Sequence, residues 1–131
     1  MKKISAAAFR KYGRVIRHPK STAGKRGRNL FCVVLRERRP LGWRIACLVV
    51  REKKVTRLEQ HPESFESFEP VQGRSVLYVC TEKERSQIEC FELTEPVVLH
   101  KGVWHAIACI GKQSELKICE NAKVACRYWT P

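Results

Sequence analysis

Aspartate is absent from the chain, so any carboxylate chemistry must come from its 13 glutamates. The seven cysteines include no Cys-x-x-Cys pair and no other close spacing, which argues against a disulfide framework and against a structural zinc site. Free cysteines that pack as small apolar residues suit a reducing compartment and predict a cytoplasmic protein. No apolar run is long enough to span a bilayer, and Arg10 and Lys11 interrupt the N-terminal run before it reaches signal-peptide length.

Positive charge is concentrated in the N-terminal part of the chain. Residues 1–57 contain 18 Lys or Arg and 2 Glu, whereas residues 58–131 contain 8 Lys or Arg and 11 Glu, and the total net charge is +13. A basic half of this kind favours a nucleic acid partner, or a small carboxylate substrate attracted by positive potential. The simpler alternative is a solvated surface.

Short apolar runs separated by polar or turn-forming residues predict strands rather than helices. The runs are Leu30–Leu35, Trp43–Val50, Val55–Glu59, Ser75–Cys80, Ile88–Leu93, Val97–Leu99, Trp104–Ile110, Leu116–Cys119 and Val124–Tyr128. About nine closely spaced strands are typical of a sandwich or barrel. We therefore predict one mainly β domain over residues 1–131, a length sufficient to bury its own core.

Three local features connect these strands. Ala6 to Lys11 predicts a short N-terminal helix with Ser5 as its cap and Gly13 as a left-handed terminator. Residues 18–28 are rich in glycine and basic residues and predict a flexible surface loop. Residues 111–114 predict a tight turn between two strands.

The most informative spacing begins at Glu59. His61 follows after one residue and Glu66 after four more, and His105 lies within a second apolar run beside Trp104. Residues two apart on a strand point to the same face, so Glu59 and His61 would face one interior, with Glu66 returning on the next strand. Two imidazoles with one or two carboxylates suit nickel, manganese, iron or zinc. The alternative is that the glutamates are solvated and His61 is a strand-end residue, whereas burial of His105 without a partner would be costly.

These stretches resemble known motifs. Glu59 to Gly73 resembles the first conserved motif of the cupins, with Glu59 where a histidine is usual, and the segment from His100 to His105 resembles the second. When residues 8–16, 58–62 and 68–70 are added, the chain resembles the ureidoglycolate lyase family, formerly called ureidoglycolate hydrolase. The chain departs from that family at Arg14, where an acid is usual, and at Ala106, where a second histidine is usual.

The resemblance implies a cupin-like double-stranded β-barrel, often dimeric, that releases urea from ureidoglycolate to leave glyoxylate in purine (allantoin) breakdown. It implies a divalent metal held by Glu59, His61, Glu66 and His105. Glu66 or Glu59 would serve as base, His105 as ligand or acid, and Lys101 would pair with the substrate carboxylate. A homodimer would cover exposed strand edges.

Two other functions stay open. A cupin of this size can bind a small ligand as a sensor without turnover. A β-barrel can also bind nucleic acid, here through phosphate contacts from a basic set that comprises Lys20, Lys25, Arg26, Arg28, Arg38 and Arg39. Aromatic residues are not interleaved with these cations, which argues against a stacking platform for single strands.

Overall fold

The structure, a computed structural model, describes residues 1–19 and 25–131. Its strands are β1 (Lys2–Lys3), β2 (Gly13–Val15), β3 (Lys25–Arg26), β4 (Asn29–Leu30), β5 (Trp43–Val50), β6 (Leu58–Gln60), β7 (Glu66–Cys80), β8 (Glu89–Glu92), β9 (Val97–Leu99), β10 (Trp104–Asn121) and β11 (Arg127–Trp129). One α-helical turn, α1 (Ala6–Phe9), and one 3₁₀ turn, Glu82–Glu84, accompany them. The predicted mainly β class is confirmed.

Two long strands, β7 and β10, organise the sheet. They pair antiparallel from Glu66 opposite Glu120 to Cys80 opposite Trp104, and so form one two-stranded ribbon. The half of the ribbon that contains Cys80 extends through β8 to β1 on one side and through β6 to β11 on the other. The half that contains Glu66 extends through β9 to β2 and, on the other side, to β5.

The two halves of the ribbon face each other across the main core. Leu77 and Val79 of the first half belong to the same buried cluster as Phe68 and Leu116 of the second. Because alternate residues of a strand point to one face, such a cluster requires the ribbon to bend back on itself. The bend is built where β10 shifts register between Ile110 and Glu115 and where Gly73 and Gly111 have positive φ angles of 73° and 87°.

The N-terminal segment closes one side of this core. Ser5 Oγ accepts a hydrogen bond of 3.1 Å from the amide of Ala8, which caps α1. The buried ring of Phe9 packs edge to face on Phe91 with centroids 5.4 Å apart. The prediction that Gly13 ends the helix in a left-handed conformation is wrong. It lies in β2, where a Cβ atom would be 1.9 Å from the carbonyl oxygen of Val98, so β2 needs glycine to approach β9.

The structure differs from the predicted strands in several places. Residues 66–74, which lie outside the predicted runs, belong to β7, whereas residues 55–57 and 124–126 of predicted runs lie outside strands. The predicted runs 104–110 and 116–119 form one strand, and the turn predicted at 111–114 is wrong, since these residues form the bulged part of β10. Of the run 30–35, only Leu30 belongs to a strand. Part of the predicted basic loop, residues 20–24, lies outside the described residues. No helix in residues 1–19 and 25–131 has the length and apolar character needed to cross a membrane.

Candidate metal centre

Four side chains that the sequence singled out as metal ligands converge in the structure: Glu59, His61, Glu66 and His105. One potential ligand atom of each lies within 4.8 Å of the others. The two imidazoles and Glu66 are buried, whereas Glu59 is partly exposed. This set has the composition of a divalent metal site with mixed nitrogen and oxygen ligands.

The strands explain how the four side chains meet. Glu59 in β6 lies directly opposite His105 in β10, so their side chains share one face of the sheet. His61 follows β6 by one residue and returns to the same face as Glu59. Glu66 begins β7 at the far end of the ribbon, and the bend carries it back over the other three.

Glu66 is the centre of the cluster. Its Oε1 atom lies 2.8 Å from Nε2 of His105 and 3.3 Å from Nε2 of His61. Oε1 of Glu59 lies 3.4 Å and 3.8 Å from the same two nitrogens. Both Nε2 atoms therefore point toward the carboxylates, so the nitrogen of each ring that would bind a metal faces into the cluster.

Two of these atoms lack the hydrogen bond that burial demands. The 2.8 Å ion pair between Glu66 Oε1 and His105 Nε2 does not have the angles of a hydrogen bond, and within the described residues neither atom has a hydrogen-bond partner. A buried polar atom without a partner costs about 1–3 kcal/mol. A cation coordinated by both atoms would remove that cost, so the residues present fit a metal ion.

The remaining ring nitrogens are held by groups outside the cluster. Nδ1 of His105 lies 3.0 Å from the carbonyl oxygen of Val103. Nδ1 of His61 lies 3.4 Å from the carbonyl oxygen of Ala125 and 3.4 Å from Sγ of Cys126. A carbonyl oxygen accepts a hydrogen bond from the Nδ1–H group, so the proton stays on Nδ1 and the Nε2 lone pair is free, which is the tautomer that a metal requires.

The carboxylates change the protonation of the imidazoles. Burial by itself lowers the pKa of His105, but the adjacent Glu59 and Glu66 outweigh it and raise that pKa to about 10. Burial likewise opposes, and Glu66 favours, the proton on His61, and the balance raises its pKa above the usual value. Without a metal, the imidazolium protons therefore neutralise the carboxylates.

The pKa values of the two glutamates shift in the opposite direction. Burial of Glu66 favours its neutral form, yet the two imidazoles prevail and lower its pKa well below the ordinary value. The pKa of Glu59 is also lowered, chiefly by His105. Both carboxylates are thus ionised at neutral pH and ready to bind a cation.

Glu120 is a third acidic residue at the site, beside Glu59 and Glu66, and sequence reasoning missed it. It lies opposite Glu66 in the ladder, and its Oε1 atom, 4.0 Å from Nε2 of His61, has no hydrogen-bond partner among the described residues. Its Oε2 atom accepts hydrogen bonds of 3.1 Å and 2.8 Å from the guanidinium of Arg44. Burial, followed by the nearby Glu66, raises the pKa of Glu120. No spacing rule connects residue 120 to residue 66, because only their pairing across the ribbon brings them together.

A cavity of about 460 Å³ adjoins the cluster, and Glu59, Glu66 and His105 form part of its wall. Arg51 and Arg57 line the same cavity. The guanidinium of Arg57 stacks on the ring of Tyr128, 4.2 Å from its centroid, and makes no ion pair within residues 1–19 and 25–131. This volume suits a small organic ligand, and Arg57 offers it an available positive charge.

Lys101, predicted to bind the substrate carboxylate, lies elsewhere. Its ammonium group is 2.5 Å from a carboxylate oxygen of Glu37 and 4.8 Å from the centroid of the Phe65 ring. It is not part of the cavity wall beside the cluster. The cationic side chains in that wall are Arg51 and Arg57, which lie between β5 and β6.

The sequence matches no protein-family model, and comparison with curated proteins gives no match. The function of the chain must therefore be inferred from the geometry and chemistry of this site.

Proposed function

We propose that the protein is a metal-dependent lyase of the ureidoglycolate lyase type that releases urea from ureidoglycolate and leaves glyoxylate, or a close relative that acts on another small ureido or 2-hydroxy acid. The observation that carries this proposal is a largely buried cluster of two histidines and two glutamates beside a cavity that also presents Arg57, which makes no ion pair among the described residues. Its bent ribbon would correspond to the double-stranded barrel of a cupin, working in the cytoplasm as a homodimer.

His61, Glu66 and His105 would hold the metal, with Glu59 as a fourth ligand or as a base. Nickel, manganese, iron and zinc all accept such a mixture of imidazole and carboxylate. A bound divalent ion polarises a substrate hydroxyl and lowers its pKa. These three side chains are buried and the surrounding strands fix their positions, so they are suited to bind the ion tightly.

Glu59 suits the proton transfer that the reaction needs. Cleavage of a carbinol-urea breaks the C–N bond, converts the hydroxyl to a carbonyl and moves a proton from that oxygen to the departing nitrogen. Glu59 is the most exposed member of the cluster, with 38% of its side chain accessible, and its lowered pKa keeps it ionised to accept the proton. The same carboxyl group can then return the proton to the leaving urea.

Arg57 suits the recognition of the substrate carboxylate. A guanidinium forms paired hydrogen bonds with a carboxylate, and stacking on Tyr128 restricts its orientation before the substrate arrives. Arg51 lines the same cavity but already donates a hydrogen bond of 3.3 Å to Gln113. Arg57 is therefore the better candidate for the primary contact.

The direct test measures urea and glyoxylate release from racemic ureidoglycolate, with chelator and with added nickel or manganese. We expect metal-dependent release that falls by at least about 100-fold in Glu59→Gln. Glu69→Gln is the matched control, because Glu69 is an exposed strand glutamate outside the cluster. If no metal supports release although the cluster binds the ion, a ligand-binding role without turnover replaces the lyase.

A further inference from the structure

A second cavity, also of about 460 Å³, lies on the N-terminal side of the molecule. Its wall contains Arg10, Arg14, Arg17 and His100, and no carboxylate from residues 1–19 or 25–131. The rest of the wall is mostly apolar and includes Val15 and Val33. A concave surface with this combination is suited to an anion that carries a small organic group.

The backbone holds these basic side chains in a fixed arrangement. Arg14 lies in β2 opposite Val98 of β9, and Gly13 permits the close approach of the two strands. The amide of His100 donates a hydrogen bond of 2.9 Å to the carbonyl oxygen of Tyr12. Arg10 is the C-terminal cap of α1. The positive side chains therefore project from connected elements rather than from scattered surface positions.

The cations are only partly neutralised. Arg17 pairs with Glu95, and Nη1 of Arg14 donates a hydrogen bond of 3.0 Å to the carbonyl oxygen of Val34, which orients its guanidinium. Arg10 makes no ion pair within the described part of the chain. Residues 1–36 contain 11 Lys or Arg and no acidic residue. The cavity therefore keeps a net positive charge, because the carboxylate of Glu95 neutralises only Arg17.

We propose that this second cavity binds a phosphate group, either of a mononucleotide or of a nucleic acid backbone. The guanidiniums of Arg10 and Arg14 make no ion pair among the described residues. A phosphate group offers them several oxygens, with nearly two negative charges in a mononucleotide and one per phosphate in a nucleic acid backbone. The apolar part of the wall can contact the nucleoside attached to that phosphate. This site is separate from the metal centre and does not depend on the proposed lyase activity.

The first experiment records amide and arginine side-chain NMR shifts during titration with AMP, inorganic phosphate and adenosine at low salt. We expect AMP and phosphate to shift signals of Arg10, Arg14 and His100 saturably, and adenosine to leave them unchanged. Fluorescence anisotropy with a labelled single-stranded oligothymidylate, with AMP as competitor, then separates the two sources. Binding of the oligothymidylate that is no tighter than that of AMP indicates a mononucleotide site, whereas binding that is much tighter, is displaced by AMP only at high concentration and falls steeply with salt indicates a nucleic acid backbone.

Variants make the assignment specific. Arg10→Gln and Arg14→Gln are each expected to weaken binding about 10- to 100-fold, because each removes a charged contact to phosphate. Lys54→Gln removes an exposed charge outside the cavity and is the matched control. Arg10→Gln breaks no ion pair of the described residues, so it tests the proposal even if Arg14→Gln does not fold. Equal weakening in all three variants, or no saturable binding of any phosphate probe, would overturn the proposal.

Discussion

Nε2 of His105 lies 2.8 Å from Oε1 of Glu66, although Glu66 precedes Val79, the ladder partner of His105, by thirteen positions in β7. In a flat sheet, thirteen residues span about 43 Å. The contact therefore exists only because the β7–β10 ribbon bends back through Gly73, Gly111 and the shifted register of β10. The candidate metal centre joins the two ends of that ribbon.

The bend can be tested with two glycine substitutions. Gly73 and Gly111 both have positive φ, but a Cβ atom at Gly73 would lie 2.5 Å from the carbonyl oxygen of Gln113, whereas one at Gly111 meets nothing within 4 Å. Gly111→Ala should cost about 1 kcal/mol of unfolding free energy through its backbone conformation alone. Gly73→Ala should cost clearly more, because it adds a backbone clash. Denaturant unfolding measures both, and equal losses would contradict this account of the bend.

Metal binding should depend on pH with a definite sign. The pKa of His105 is raised from its usual 6.5 to about 10, so its proton stabilises the metal-free fold fully below pH 6.5, and this contribution disappears as the pH rises to about 10. A metal must displace that proton, so the apparent affinity for nickel should rise with pH across this window. Calorimetry in buffers of different ionisation enthalpy should detect about one or more protons released per ion at pH 7. Affinity that is constant from pH 6.5 to 9 would contradict the prediction.

Removal of one imidazole should expose the cost of the buried charge. In the metal-free protein, His105→Ala leaves the carboxylate of Glu66 without its nearest cation, and breaking a buried pair of this kind costs about 3–5 kcal/mol. The free energy of unfolding, measured with chelator present, should fall by an amount of that order. His18→Ala is the control, because His18 lies far from the cluster in sequence and makes no contact with its members in the described structure. A loss below about 1 kcal/mol in His105→Ala would mean that the pair is not desolvated.

Arg57 should act on substrate binding rather than on the chemical step. Arg57→Gln removes the guanidinium from the cavity wall, so KM should rise about 10- to 100-fold while kcat changes little. Lys101→Gln is the informative comparison, because the sequence favoured Lys101 for this role and the structure pairs it with Glu37. Steady-state kinetics on both variants measure the split. A larger effect from Lys101→Gln would restore the assignment made from sequence.

The sequence allowed prediction of those parts of the site that follow from local spacing. Glu59 and His61 are two residues apart, and Glu66 follows one turn later, so strand geometry alone places them on one face. Residue types and the neighbouring Trp104 also identified His105. Glu120 and Arg57 were not predictable, since their positions depend on the long-range pairing of β10 and on the cavity that the bend creates.

The same distinction explains the fold. Alternating apolar residues predicted strands at 43–50 and 97–99 with the bounds that the structure shows. The Gly-containing segment 111–114 has the composition of a turn, but the extended pairing of β10 with β7 and β5 keeps it within a bulged strand. Tertiary pairing thus overrode the local signal at that position.

The most direct test of the metal centre is its stoichiometry. Purified protein, loaded with nickel or manganese and freed of excess ion, should retain about one ion per chain by elemental analysis. His61→Ala and His105→Ala should each lose that ion, whereas His18→Ala should keep it. Circular dichroism would confirm that each variant retains its β-sheet. Retention of the ion by both folded cluster variants, or no ion bound by the unaltered chain, would contradict the assignment of Glu59, His61, Glu66 and His105 as a metal centre.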